Sequence, residues 1–186
     1  MITEHGGSMD GMAAQIGAML HSELTVKGRW QAAYYAGEWT AEQIEQGLAG
    51  APIEVHEAEN ILVNTGIQLL LDLLIGAGGT TYANGNTYIG IGDSSTAASA
   101  SQTDLQAATN RFKRVMDATF PSRSAQTLTF RTTYATSEGN FAINEAGVFN
   151  GGPAFATGTM LNRLVSSLGT KTSATTLQLT VTLTIS

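Results

Sequence analysis

The segment 175–186 carries the most regular pattern in the chain. Apolar side chains alternate there with polar ones without interruption; the apolar members are Leu177, Leu179, Val181, Leu183 and Ile185. Because successive side chains of a β-strand point to opposite faces of a sheet, the pattern predicts a strand with one face in a core. The other face meets water or a neighbouring protein. A chain with such a strand needs a second layer to cover the apolar face.

The same strand raises the question of self-association. Residues 175–186 contain no Pro, Lys or Glu, which are residues that protect an exposed sheet edge from pairing. If the strand lies at an edge, we expect it to pair with a second copy of the chain. If it is central, this reason for association disappears. Thr180, in the middle of the polar face, is our candidate contact residue between copies.

Other segments with the composition of strands precede this one and are separated by turn residues. They are 26–35, 53–63, 87–92, 112–120, 127–134, 141–149 and 160–165. Short strands that follow one another through Gly- and Pro-containing turns favour an antiparallel sandwich over a parallel sheet. We therefore predict a mostly β fold, an antiparallel β-sandwich that forms one domain over residues 25–186. An acidic insertion, partly helical in pattern, occupies about 36–52.

One segment of this domain has the pattern of a longer helix. Residues 65–75 are apolar nearly all round, which predicts a buried helix. Thr65 and Gln68 have the spacing of a capping box, and Gly76 is a stop signal.

The first 24 residues form a separate arm in this interpretation. Apolar side chains follow the spacing of one helical face there: Met9, Met12, Ala13, Ile16, Met19 and Leu20. Gly11 and Gly17 interrupt this face, and each weakens a helix by about 1 kcal/mol relative to Ala. The face can pack on its own domain, stay unpacked or dock onto a partner. Met adapts to imperfect surfaces, so Met9, Met12, Ile16, Met19 and Leu20 are our candidate partner-binding residues.

Charge and composition restrict the classes of partner. Nine of the 15 acidic residues lie in the first 60 positions, beside only Lys27 and Arg29. Nucleic acid requires a basic surface, so we expect no nucleic-acid partner. Charged residues make up 13% of the chain, about half the usual share. Either much of the surface faces other protein, or a threonine-rich sheet face replaces the charges.

Several kinds of site and compartment are not expected. The chain has no cysteine, which excludes disulfides, thiolate metal sites and a cysteine nucleophile. Its start lacks the basic and apolar regions of a secretory signal. The longest apolar run, 69–75, contains Asp72 and is too short to cross a bilayer, so we expect no membrane partner.

The sequence also lacks the patterns of common catalytic sites. The histidines are His5, His21 and His56, and none belongs to an HExxH motif. GxSxG is absent, and the string 90–93 (GIGD) lacks the third glycine of a dinucleotide fingerprint. Glu138 and Glu145 lie seven positions apart, and we interpret them as two surface carboxylates, not as a glycosidase pair. We predict no catalytic, cofactor-binding or metal-binding residue, and hence no enzyme.

A series of short motifs gives the chain a resemblance. In order they are EAENILVNTG at 57–66, an apolar helix, YIGIG at 88–92, INEAGVFN at 143–150, MLNR at 160–163 and the alternating strand at 175–186. This order resembles a group of small tailed-bacteriophage virion proteins, often labelled tail fibre or minor structural proteins. It covers about two-thirds of the chain. The motifs form turns and strands, so no catalytic residue carries over. Val181 stands where that group often has tryptophan.

The resemblance implies a place in a virion assembled in a bacterial cytoplasm. We expect a capsid decoration protein, trimeric, bound to the major capsid protein on the outside of the head. The alternative is a tail fibre or baseplate component with the same β-domain, bound to tail proteins. A receptor-binding or sugar-cleaving module is the least supported class.

Overall fold

The structure is a computed structural model that describes residues 25–186. Its elements are β1 (Val26–Ala36), α1 (Ala41–Glu45), β2 (Glu54–Glu59), β3 (Ile61–Leu62), α2 (Asn64–Ile75), β4 (Thr87–Gly92), β5 (Arg111–Val115), β6 (Ser122–Ser124), β7 (Thr127–Tyr134), β8 (Glu145–Asn150), β9 (Thr159–Val165) and β10 (Thr175–Ile185). Neither α-helix of the described residues is long and apolar enough to cross a membrane.

Two antiparallel sheets of five strands hold this chain together. Sheet one has the order β2-β1-β10-β7-β6, and sheet two has the order β3-β9-β8-β4-β5. Their inner faces share one apolar core, in which Trp30 and Phe130 of sheet one meet Ile89 and Val148 of sheet two. The predicted mostly β, antiparallel sandwich is confirmed.

The alternating strand β10 lies at the centre of sheet one. It pairs with β1 along its whole length and with β7 on its other side. Val181 lies between Trp30 and Phe130, and the apolar face of the strand is buried as predicted. Because β10 has a neighbour on each side, its backbone groups are not free. The strand is therefore not an edge, and pairing of β10 with a second copy of the chain is ruled out as the reason for association.

The strands that do form edges carry the usual protection against pairing. β2 contains three glutamates, and β5 contains three basic residues. β6 and β3 have only three and two residues. Charged or very short edges resist the addition of a strand from another molecule. Contacts between copies of this chain would therefore have to use faces and loops, not sheet edges.

The acidic insertion folds back onto sheet one. The Thr40 side chain and Gln43 cap α1 reciprocally, as in a capping box. The Glu38 carboxylate accepts hydrogen bonds from Thr136, and Glu45 forms an ion pair with Arg131 of β7. The insertion is therefore tied to the sheet at both of these points, and its predicted helical content is limited to five residues.

Three predicted strands have different bounds in the structure. The segment 53–63 divides at Asn60 into β2 in sheet one and β3 in sheet two, so the chain crosses between the layers there. The segment 112–120 leaves its sheet after Val115, and the segment 141–149 joins sheet two only at Glu145. Strand composition identified these regions, but the ends of the strands depend on pairing with distant segments.

Candidate interaction surface

Helix α2 begins after Val63 and ends at Gly76. Gly76 adopts a left-handed conformation with φ 71°, which glycine reaches without a steric penalty, and so the predicted stop is confirmed. The predicted capping box is wrong, because the N-cap residue is Val63 and it makes no side-chain cap. The Thr65 hydroxyl instead donates a hydrogen bond to the Met160 carbonyl of β9, over 3.3 Å.

One side of α2 lies very close to sheet two. A Cβ added to Gly66 would lie 2.4 Å from the carbonyl oxygen of Leu161, so only glycine permits this approach. Leu69 is buried on the same helix, and Leu70 packs against the main core. Gly66 therefore determines how closely the helix packs on β9.

The opposite side of α2 is apolar and uncovered in the described part of the chain. The exposed fractions are 55% for Leu71, 80% for Leu74 and 75% for Ile75. The prediction of a buried helix is therefore wrong for this side. The two sheets supply most of their shared core, and α2 lies at its rim with only one side in contact.

A groove runs beside this exposed side. We call it the α2 groove; its lining residues are Val26, Leu62, Ile67, Leu70, Leu71, Leu74 and Ile185, and its volume is about 400 Å³. All seven side chains are aliphatic. Contiguous exposed apolar surface is uncommon on soluble monomers and often marks a contact with protein or membrane. The α2 groove is thus the candidate interaction surface of the described residues.

The predicted contact residue Thr180 lies elsewhere, on the outer face of sheet one. It lines a shallow polar depression with Arg29, Gln31, Glu57 and Thr182. Arg29 and Glu57 form an exposed ion pair there, and these contacts lower the pKa of the Glu57 carboxyl. Thr180 is half-buried and lies on the central strand of its sheet.

The remaining predicted contact residues cannot be placed. Met9, Met12, Ile16, Met19 and Leu20 lie outside the described residues. The structure therefore does not test whether they bind a partner, and the arm at 1–24 stays a prediction.

Sequence reasoning misjudged Glu145. It is fully buried and not a surface carboxylate, and its Oε2 lies 2.6 Å from Nη2 of Arg163, which is also fully buried. The backbone N–H groups of Gln106 and Ala107 donate to the same carboxylate. Glu138 instead forms an ion pair with Arg114 and accepts a hydrogen bond from Ala135.

The Glu145–Arg163 pair holds the loop that follows β4 against the outer face of sheet two. Arg163 donates to the carbonyl oxygens of Thr96 and Ala97 and to the side chain of Gln102. A Cβ on Gly92 would lie 2.5 Å from the Glu145 carboxylate, so the glycine makes room for it. The second glycine of the GIGD string thus has a packing role. Within the loop, the Thr96 N–H donates to the Ser94 hydroxyl and forms a Ser/Thr turn.

Within residues 25–186, no group of three or more His, Cys, Asp or Glu side chains is placed to hold a metal ion. His56 is half-buried. Its Nε2 lies 2.6 Å from the Glu54 carboxylate, and its ring packs edge-on against Tyr34, so these contacts hold the ring in place within the fold. Burial raises the pKa of the Asp117 carboxyl, which accepts hydrogen bonds from both the N–H and the hydroxyl of Thr133 and so connects the segment after β5 to β7.

Comparison with known proteins gave no match: no family model, no curated protein and no solved structure is significantly similar to this chain.

Proposed function

We propose that this chain is a non-catalytic structural protein of a tailed-phage virion, and that it decorates the outside of the head. The observation that carries the proposal is the α2 groove, an apolar surface that nothing in residues 25–186 covers, at the rim of a sandwich with a shared core. Such a surface suits a protein that works by packing against other protein. The order of motifs in the sequence supports the choice of a virion.

The proposed partners are the major capsid protein and further copies of the chain. The apolar face of the arm, with Met12 and Ile16 at its middle, is the proposed attachment segment. The outer face of sheet one around Thr180 is the proposed contact between copies in a trimer. The protected sheet edges favour a face over an edge for that contact.

Counting copies in purified particles tests the location. A decoration protein covers a lattice and should therefore be far more abundant in a particle than a tail component. A quantitative gel against the major capsid band should give a ratio near one decoration subunit per capsid subunit or per small group of them. A ratio lower by about two orders of magnitude would support the tail fibre or baseplate alternative. Absence from the particles would overturn the virion proposal.

A further inference from the structure

The α2 groove lies where the first 24 residues join the described domain. Thr25 and Ser186 exchange two backbone hydrogen bonds, of 2.7 and 3.0 Å. The residues next to them, Val26 and Ile185, line the groove. The chain therefore enters the domain at the rim of its own uncovered apolar surface.

The arm carries an apolar stripe of matching chemistry and length. We call Met9, Met12, Ala13, Ile16, Met19 and Leu20 the arm stripe. As a helix, residues 9–20 would be about 18 Å long, and α2, also of 12 residues, has the same length. Both surfaces are apolar and uncharged. Helix pairs bury such surfaces at axis separations of about 8–10 Å.

We infer that the α2 groove is the docking surface for the arm stripe of the same chain. Four residues separate Leu20 from Thr25, and the five residue steps between them reach about 17 Å when extended. This reach lets the stripe lie along α2. A short tether gives the stripe a millimolar effective concentration at the groove, which a second copy matches only at millimolar protein. The inference goes beyond the virion proposal and concerns the free chain: on a particle, the stripe would have to leave the groove before either apolar face could contact capsid protein.

The contact explains two features that are otherwise unrelated. Gly11 and Gly17 lower the helix propensity of the stripe, so a helix there requires packing against another surface to be stable. α2 exposes the apolar side chains of Leu71 and Leu74, which are stabilised when another apolar surface buries them. Each apolar face removes the other from water, at about 25 cal/mol per Å² of apolar area buried. Met side chains in the stripe adapt to the irregular outline of the groove.

Engineered disulfides test the inference in the full chain, which has no cysteine of its own. Three variants pair Leu71→Cys with Met12→Cys, Ile16→Cys or Met19→Cys. A matched control pairs Leu71→Cys with Ala18→Cys, which lies on the opposite side of the same helical pattern. Oxidation at about 1 μM chain keeps the protein roughly a thousandfold below the effective concentration of the tether.

Denaturing gels without reductant separate the outcomes. We expect at least one stripe pair to close within single chains, at monomer mass, and to a much larger extent than the control. Crosslinks at dimer mass would show a second copy's arm in the groove and would overturn the inference. Equal crosslinking by stripe and control pairs, or none by all three stripe pairs, would overturn it as well.

A dye that fluoresces on apolar surfaces gives a second readout without cysteines. Met12→Glu with Ile16→Glu should release the stripe and raise dye fluorescence, because the groove becomes uncovered. Ala14→Glu with Ala18→Glu adds the same charge on the opposite side and should leave fluorescence unchanged. Equal fluorescence of both variants and the original protein would contradict the inference.

Discussion

At the scale of single residues, the buried ion pair between Glu145 and Arg163 should contribute strongly to the free energy of unfolding. Removing one member of a buried pair leaves the other charge without its partner in a dry site. We expect Glu145→Gln and Arg163→Met each to lower the free energy of unfolding by about 3–5 kcal/mol. Urea denaturation followed by circular dichroism measures this loss.

The exposed Arg29–Glu57 pair provides the matched control. Its members are 65% and 43% exposed, so Glu57→Gln should change the free energy of unfolding far less than Glu145→Gln does. The double variant of Glu145 and Arg163 should cost less than the sum of its single changes, since the two charges disappear together. Additive losses would mean that each side chain acts through other contacts.

Glu38 should make the attachment of the acidic insertion dependent on pH. Hydrogen bonds from the hydroxyl and the N–H of Thr136 lower the pKa of this carboxyl below the usual 4.5. A folded-state pKa below the unfolded one adds stability that is complete above the unfolded pKa and is lost as pH falls through the folded pKa. We therefore expect the free energy of unfolding to decrease between about pH 5 and pH 3, with a component due to Glu38.

Glu38→Gln isolates this component, because the amide still accepts hydrogen bonds but does not titrate in this range. The variant should show a smaller decrease over the same pH range in urea titrations. A slope identical to that of the original protein would show that the contact with Thr136 contributes nothing to the pH dependence.

At the scale of elements, stability should be sensitive to substitution on the packed side of α2 and insensitive to it on the exposed side. Gly66→Ala would improve an isolated helix by about 1 kcal/mol. In this fold the added methyl group meets the backbone of Leu161 at 2.4 Å, and overpacking costs about 1–3 kcal/mol. We expect net destabilisation in a urea titration. Leu74→Lys, on the exposed side, should change stability by less than about 0.5 kcal/mol in a chain that starts at Thr25, where no arm can cover the groove. A stabilised Gly66→Ala variant would mean that the helix is not so close to β9.

The two faces of β10 permit a similar test of self-association. Val181→Lys places a charge in the core and should unfold the chain. Thr180→Lys charges the outer face and should leave the fold intact, as seen by circular dichroism. If the proposed trimer forms through that face, light scattering should show a trimer mass for the original protein and a monomer mass for Thr180→Lys. A monomer mass for the original protein at all concentrations would reject the trimer.

At the scale of the whole molecule, the arm and the domain should be separable. The shared core includes Trp30 near one end of the described chain and Leu183 near the other, and its members come from both sheets. A chain that starts at Thr25 should therefore keep the β-sheet signal of its circular dichroism spectrum and a cooperative thermal transition. It should also lose co-sedimentation with particles, since the proposed attachment segment is missing. A truncated chain that fails to fold would place the arm in the core and contradict the attachment hypothesis.

The sequence by itself determined the features that depend on local period and composition. The alternation in 175–186 specified which side chains of β10 are buried, because neighbouring residues of a strand necessarily face opposite ways. Gly76 specified the end of α2, because glycine reaches the left-handed conformation without a penalty. The mostly β class followed from repeated short strands and turns.

Only the tertiary structure decided which partners those elements meet. β10 is central because β1 and β7, from distant parts of the chain, pair with it on both sides. An apolar helix such as α2 has the same pattern whether a core or another surface covers it, so its exposure depends on the space that the two sheets leave. Glu145 looks like a surface carboxylate in sequence, and it is buried because Arg163 lies two positions along the neighbouring strand and neutralises it. These outcomes depend on contacts between residues far apart in sequence, which local patterns do not encode.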